Sequence, residues 1–329
     1  MLSALPDPLI TIPLALLVAL AVDRAWGEPP ARWHPVVWMG RCLGWAGQRI
    51  APAAADADAP PPWRTVCAGA LAWWLGAGAV GTVAWGLQAA IGHLPVLLAV
   101  LGLGLLLKPL LAWRMLADEV RAVEQALGEG LQAGRQRLSW LVSRDVSRLD
   151  AVQVRESAIE TLAENLNDSV VAPLLWFALA GLPGAAVYRW ANTADAMWGY
   201  RGERGGRIWT WAGAWAARAD DVMSWLPARI TAALLWLAAP TGMRGLDWSQ
   251  VRRDAALTPS PNSGWPMSAM AHLAGWRLSK PGHYVLHAQG RAVAAPDVAQ
   301  AVRLGGRAVG LVAWTCGAAA LWAVAGWPA

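Results

Sequence analysis

The sequence predicts an all-α, polytopic membrane protein: about four full transmembrane helices, joined by re-entrant or interfacial helices and long helical loops. Three observations carry that expectation. Hydrophobic residues fill 56% of the 329 positions and charged residues only 15%, against about 25% charged in ordinary soluble domains. The remaining charge is segregated, leaving uninterrupted apolar stretches long enough to cross a bilayer. All 27 basic residues fall in four polar loops, at about 23–64, 108–168, 189–229 and 244–307. The expected organisation is a single integral membrane domain over residues 1–329.

The elements follow in order. Pro8 to Val22 is an apolar run with Asp7 at its start and no basic segment before it, so it reads as an uncleaved first span. From Thr65 to Leu107 there is no Asp, Glu, Lys or Arg, room for two helices of about 20 residues each. A turn is expected at Gly92-His93-Leu94-Pro95. Ser169 to Tyr188 is also uncharged, but Gly181-Leu182-Pro183-Gly184 interrupts it; the expectation is a re-entrant or broken hairpin. Residues 222–243 read as a surface or half-inserted helix, and Ala308 to Ala329 as a C-terminal span.

No polar loop is poor in arginine, so a simple alternation of sides would violate the positive-inside tendency. The reading that avoids this keeps all four loops on the cytoplasmic side of the cell (inner) membrane. Composition excludes disordered, collagen-like and coiled-coil chains. Only Lys108 and Lys280 among the basic residues are lysines. Arginine suits phosphate and carboxylate recognition, and no dense basic run or nucleic-acid module is present. Cys42, Cys67 and Cys316 have no paired spacing, which argues against a disulfide framework or zinc site. A carrier concentrates ionisable residues inside its spans. Here they lie in loops too long to be connectors, which favours chemistry at the membrane surface.

The strongest candidate for that chemistry is the segment Arg144 to Pro173, free of Gly and internal Pro and expected to be one helix of some 25 residues. Glu156, Glu160, Glu164 and Asp168 stand at i,i+4 along it, with Arg144 and Arg148 upstream. Successive steps of four drift by about 40°, so any three successive carboxylates share a face. A solvated acidic face is the ordinary explanation. The row, however, runs straight into an apolar segment and is accompanied by Asn165 and Asn167. Oxygen ligands of this kind suit Mg²⁺, held by one or two carboxylates plus substrate phosphates.

Asp220-Asp221 is a second acidic pair, either a helix N-cap or a further Mg²⁺-phosphate contact. Asn192 and Asp195, with Gly199-Tyr200-Arg201-Gly202, lie in a polar loop. Ser260-Pro261-Asn262-Ser263-Gly264 is a turn whose amides can cradle an anion. His34 lies in a Pro-rich loop after the first span, and His283 and His287 read as non-ligands.

In this order the pieces resemble the adenosylcobinamide-phosphate synthase family of cobalamin biosynthesis, the CobD/CbiB family. The likeness is carried by Asp23, Gly27-Glu28-Pro29, His34-Pro35-Val36 and Gly40-Arg41, then by Arg155-Glu156-Ser157, Glu160, Glu164-Asn165, Asp168 and Ala172-Pro173. It continues through Asn192-Thr193, Asp195, Gly199-Tyr200, Ala219-Asp220-Asp221, Pro227-Ala228-Arg229 and Ser260 to Pro266. Thr258, Met267 and Ser224 depart from the expected pattern, and the region after Gly275 matches poorly.

The resemblance implies a membrane enzyme that amidates a propionate of adenosylcobyric acid with aminopropanol or aminopropanol phosphate, driven by ATP with Mg²⁺. It implies Glu164, Asp168, Asp220 and Asp221 as metal ligands. Arg144, Arg148 and Arg229 would contact phosphates, and Asn192, Ser260 and Asn262 would donate to oxyanions. Glu156, Glu160 and His34 would be catalytic, His34 as a proton acceptor. Other cobalamin-assembly membrane enzymes and a second copy of the chain are the protein partners it allows. The competing expectations are a transporter of a corrinoid or another anion, and a catalytically silent partner in a cobalamin-assembly complex.

Overall fold

The computed structural model describes residues 5–54 and 61–326. Among the described residues, regular structure consists of twelve α-helices, short 3₁₀ and π turns, and two antiparallel hairpins of two strands each. Five helices are long and apolar enough to cross a membrane: Pro8–Trp26, Pro62–Gly92, Val96–Glu129, Ala151–Trp198 and Ala295–Ala325. An all-α polytopic membrane protein is what the charge-free stretches foretold. The last three residues of the expected C-terminal span, 327–329, lie outside the described residues.

The chain forms two compact units. The first comprises the described parts of residues 1–111, 172–223 and 316–329; the second comprises 112–171 and 224–315. In the first unit α1 (Pro8–Trp26) packs on α4 (Val96–Leu107), and α8 (Ala172–Trp198) packs on both α2 (Pro35–Ile50) and α3 (Pro62–Gly92). Small residues permit the close approaches. A Cβ at Gly104 would meet Ala15 O at 3.0 Å, and one at Gly76 would collide with the Trp190 ring. This is how apolar helices pack without a hydrophobic force between them. Trp190 and Trp198 are buried here, and their indole N–H groups donate to Trp73 O at 3.1 Å and Leu43 O at 3.2 Å.

The expected break at Gly181 is present: its φ of 70° and ψ of −160° interrupt α8. A helix broken inside an apolar layer strands backbone groups that must be satisfied. Gln88 of α3, 1% exposed, does this by accepting the Leu182 N–H at 2.7 Å. The turn at Gly92 to Pro95 also forms, but it separates helices of 31 and 12 residues rather than two equal ones.

The second unit holds α5 (Trp113–Glu129), α6 (Leu131–Leu138), α7 (Ala151–Leu166), α10 (Trp248–Ala255), α11 (Gly264–Ala274) and the hairpin of β3 (Leu278–Lys280) and β4 (Tyr284–Leu286). Helix α7 packs against α5, α6, α11 and β3. The first unit carries the other hairpin, β1 (Glu203–Arg204) with β2 (Arg207–Ile208). Helices α9 (Ala214–Ala238) and α12 (Ala295–Ala325) complete the set.

One helix boundary corrects the sequence expectation. The segment from Arg144 is not helical until Ala151. Asp150 accepts from Gln153 N–H at 2.8 Å while the Gln153 side chain accepts from Asp150 N–H at 3.0 Å. This capping box starts the helix, so Arg144 and Arg148 precede α7 instead of standing on its acidic row. Two further corrections follow the same logic. Asp220 and Asp221 lie inside α9 rather than capping it, and Asn192 and Asp195 belong to the last turns of α8 rather than to a loop.

Candidate functional site

In the second unit, α7 turns its carboxylates inward. Glu156 is 1% and Glu160 2% exposed, which rules out a solvated acidic face for these two. Glu156 Oε2 accepts from both the amide and the hydroxyl of Ser279. Glu160 Oε2 accepts from Arg144 Nη2 at 3.0 Å, so Arg144 reaches the row from the preceding turn although it is off the helix. Glu156 Oε1, Glu160 Oε1 and Arg144 Nη1 are buried with no hydrogen-bond partner. Arg148 is exposed, and its charge acts on Asp145.

Glu164 is half-buried, between the negative charges of Asp168 and Glu160 and the positive charges of Lys280 and Arg144. The helix widens into a π turn over Asn167–Val171, a feature often found at functional sites. The turn leaves Ser169 O to accept the Ala112 N–H at 3.0 Å. Within it Asn167 donates to Asp168 Oδ1 at 2.7 Å, and Asn167 Oδ1 accepts from the Thr231 hydroxyl at 3.2 Å. Asp168 is thereby oriented by a buried neighbour.

The partners of the row come from a region the sequence left unassigned. Ser279 bonds Glu156, Lys280 faces Glu164, and Tyr284 stands beside Glu160. Hairpin β3–β4 therefore supplies one residue to each of three successive carboxylates. Burial, and then the charges of Glu160 and Glu164, push the Tyr284 hydroxyl up out of its ordinary range; it remains a proton donor at any physiological pH. The one sequence signal was Lys280, one of only two lysines in the chain.

A second constellation in the same unit forms around Arg229. Its Nη1 donates to Trp225 O at 2.7 Å and to Asn262 Oδ1 at 2.9 Å. The guanidinium also lies 4.4 Å from the Trp225 ring centroid and 4.8 Å from that of Trp265. Ser260 Oγ accepts from the Asn262 amide at 3.2 Å. The 260–264 turn thus holds Arg229 in place, with Asn262 3% exposed.

The first unit contains the other nominated residues. His34 Nε2 lies 3.0 Å from Glu28 Oε2, Glu28 Oε1 is 2.7 Å from Lys108 Nζ, and Lys108 is 3.1 Å from Asp23 Oδ1. Lys108, which the sequence placed at the start of a polar loop, is 3% exposed. Burial raises the Glu28 carboxyl, but hydrogen bonds from His34 and Lys108 and their charges more than offset it, leaving it below its usual value. His34 Nδ1 is buried without a hydrogen-bond partner. In the same unit Asn192 donates to Asp220 Oδ1 at 3.4 Å and accepts from Arg189 at 3.3 Å. Asp220 is 9% exposed.

Among the described residues no group of three or more His, Cys, Asp or Glu is gathered to hold a metal ion. That donor set does not make a closed cage. Mg²⁺, however, is usually held by one or two carboxylates, with phosphate oxygens and waters completing the octahedron. Glu164 and Asp168, neighbours one turn apart, fit that smaller requirement.

These features define a class: a polytopic helical membrane protein with an inward-facing carboxylate row matched by arginine, lysine and amide groups. A sequence model of the CobD/Cbib protein family matches residues 16–305, and the chain belongs to that family. It is 40% identical to the Chromobacterium violaceum protein named "Cobalamin biosynthesis protein CobD", over 94% of this chain and 96% of that one. It is 38% identical to a "Probable cobalamin biosynthesis protein CobD" of Methanothermobacter thermautotrophicus, over 82% and 85% of the two chains. The Rhizobium meliloti "Cobalamin biosynthesis protein CobD" is 37% identical over 94% of this chain and 97% of its own length. No solved structure matches the chain.

Proposed function

We propose that this protein is a cobalamin-biosynthetic amide ligase that joins aminopropanol or aminopropanol phosphate to a propionate of adenosylcobyric acid at the expense of ATP, at the cytoplasmic face of the inner membrane. The observation that carries this reading is the Glu156-Glu160-Glu164-Asp168 row, its first two carboxylates buried and its last two half-buried, with cations on its flank. A carboxylate is a poor electrophile. In the proposed reaction a propionate oxygen attacks the γ-phosphorus and ADP departs, leaving an acyl phosphate. The amine nitrogen then attacks the acyl carbon, phosphate leaves, and one proton is released to a base. Mg²⁺ would supply neutralising charge on the phosphoryl oxygens, with Glu164 and Asp168 as its ligands in the second unit.

The remaining roles belong to residues of this chain. Lys280, beside Glu164, is proposed to hold a transferring phosphate oxygen, where a preorganised cation lowers the barrier most. Arg229, stacked and bonded by the 260–264 turn, presents a fixed guanidinium for a phosphate or carboxylate. Asp220 and Asp221, in the first unit, are proposed on side-chain chemistry to contact a Mg²⁺ there, with Asn192 bonded to Asp220. Glu28 holds one nitrogen of His34, an arrangement suited to proton transfer.

The test is mass spectrometry of corrinoid products after incubating the purified protein with adenosylcobyric acid, ATP, Mg²⁺ and each amine. A mass gain matching amide formation, dependent on ATP, supports the reading. Corrinoid flux into proteoliposomes without any product would replace it with transport.

A further inference from the structure

Glu156 and Glu160 share an arrangement that the rest of the row does not. Each is almost wholly buried. On each, one oxygen is held by the protein: Oε2 of Glu156 by Ser279, Oε2 of Glu160 by Arg144. On each, Oε1 is buried and unbonded. Tyr284 hydrogen-bonds the Glu160 side chain, yet Oε1 of Glu160 has no partner of good geometry. The two residues lie at i,i+4 on α7, on one face and one turn apart, about 6 Å along the axis.

A buried carboxylate oxygen left without a donor is costly, and two such oxygens on one face call for a common occupant rich in donors. Phosphate oxygens bring acceptors and negative charge, the wrong chemistry for this pair. A primary ammonium carries three donors and one positive charge and can bond both oxygens at once.

We propose that Glu156 Oε1 and Glu160 Oε1 form the subsite for the primary ammonium of the small amine substrate, with Ser279, Arg144 and Tyr284 as positioning residues. The inference rests on the ligase reading and divides the row. Its first half, Glu156 and Glu160, receives the amine; its second half, Glu164 and Asp168, faces the metal-phosphate.

The experiment uses the full-length protein in nanodiscs. In steady state, Glu156→Gln and Glu160→Gln raise KM for aminopropanol or its phosphate by about tenfold or more, the size expected for losing a hydrogen bond between charged groups. KM for ATP and the half-saturating Mg²⁺ concentration stay within about twofold of wild type, below the size of one such bond. Ser279→Ala and Tyr284→Phe keep both carboxylates and shift amine KM in the same direction by less, again without moving the ATP value. Calorimetric titration of 1-amino-2-propanol into the protein without ATP reads the subsite directly, and Glu156→Gln abolishes that heat. An unchanged amine KM with a displaced ATP or Mg²⁺ dependence overturns the assignment, because the first half of the row would then serve the nucleotide. The two ideas fail separately. Wild-type protein that forms no amide but binds the amine through Glu156 loses the ligase reading and keeps the subsite; amide formation indifferent to Glu156 and Glu160 does the reverse.

Discussion

Two buried charge clusters, one in each unit, are built on opposite plans. In the first unit Lys108 lies between Asp23 and Glu28, and Glu28 also holds His34; both carboxylates have a cation within 3.1 Å. In the second unit four carboxylates follow one another along α7 and its π turn, Arg144 pairs with Glu160, and Oε1 of Glu156 and of Glu160 is buried and unbonded. The first arrangement pairs each carboxylate with a cation and locks α1, the following loop and Lys108 together. The second is left open, a state that folding alone does not reward. Carboxylates that each have a cation hold the fold together, and buried carboxylate oxygens without a donor leave a place for a ligand.

The largest expected effect attacks the cation-paired cluster. Lys108→Met leaves Asp23 and Glu28 without their cation, and breaking a buried pair costs about 3–5 kcal/mol. Loss of the monodisperse protein on size-exclusion chromatography, or a large fall in unfolding temperature in detergent, checks it. In the open cluster the opposite holds. Glu164→Gln is expected to lower amide formation about 100-fold, as for loss of one preorganised charge. The unfolding temperature should stay the same or rise, since a like-charge neighbour of Asp168 is removed. A Glu164→Gln protein that unfolds early would erase the contrast between the two clusters.

Arg229→Lys sharpens the contrast at a third place. Lysine keeps the charge but loses the planar fork and the stacking on Trp225 and Trp265, so turnover should fall about tenfold, or one such step in free energy, with protein yield unchanged. The smallest effects are in pH. Burial, partly countered by Asp254, holds the His272 ring below its ordinary pKa, with the stacked His287 adding to the fall. The unfolded chain then binds the proton more readily than the folded one. Stability is therefore full above the ordinary histidine value, about 6.5, and declines as pH drops below it. Glu28, held below the ordinary 4.5, contributes stability present above that value and lost as pH falls through its lower folded value. Thermal unfolding in nanodiscs from pH 8 to about 3 reads both slopes, and Glu28→Gln flattens only the acidic one.

Much of the fold was legible because membranes enforce a simple code. The charge-free stretch from Thr65 to Leu107 and the breaks at Gly92 and Gly181 locate helices with little ambiguity. The start of α7 is hard to read from sequence because residues 144–150 contain neither Gly nor Pro, and only the Asp150-x-x-Gln153 capping pattern marks the helix start at Ala151. The acidic row could be read from spacing alone. Its partners could not: Ser279, Lys280 and Tyr284 lie more than a hundred positions away on a short hairpin with weak local pattern. Thr231, which holds Asn167 and through it Asp168, sits in an ordinary helical run and announces nothing.

Gln88 and Gly181 are bound in a way that reaches beyond this one chain. A side chain at position 181 would run into the Gln88 carboxamide, and a shorter residue at 88 would abandon the Leu182 amide in an apolar layer. Neither position is free to drift alone. Among natural variants the two should be inherited as a linked pair, and a sequence that has lost one without the other must have found a different way to bend that helix.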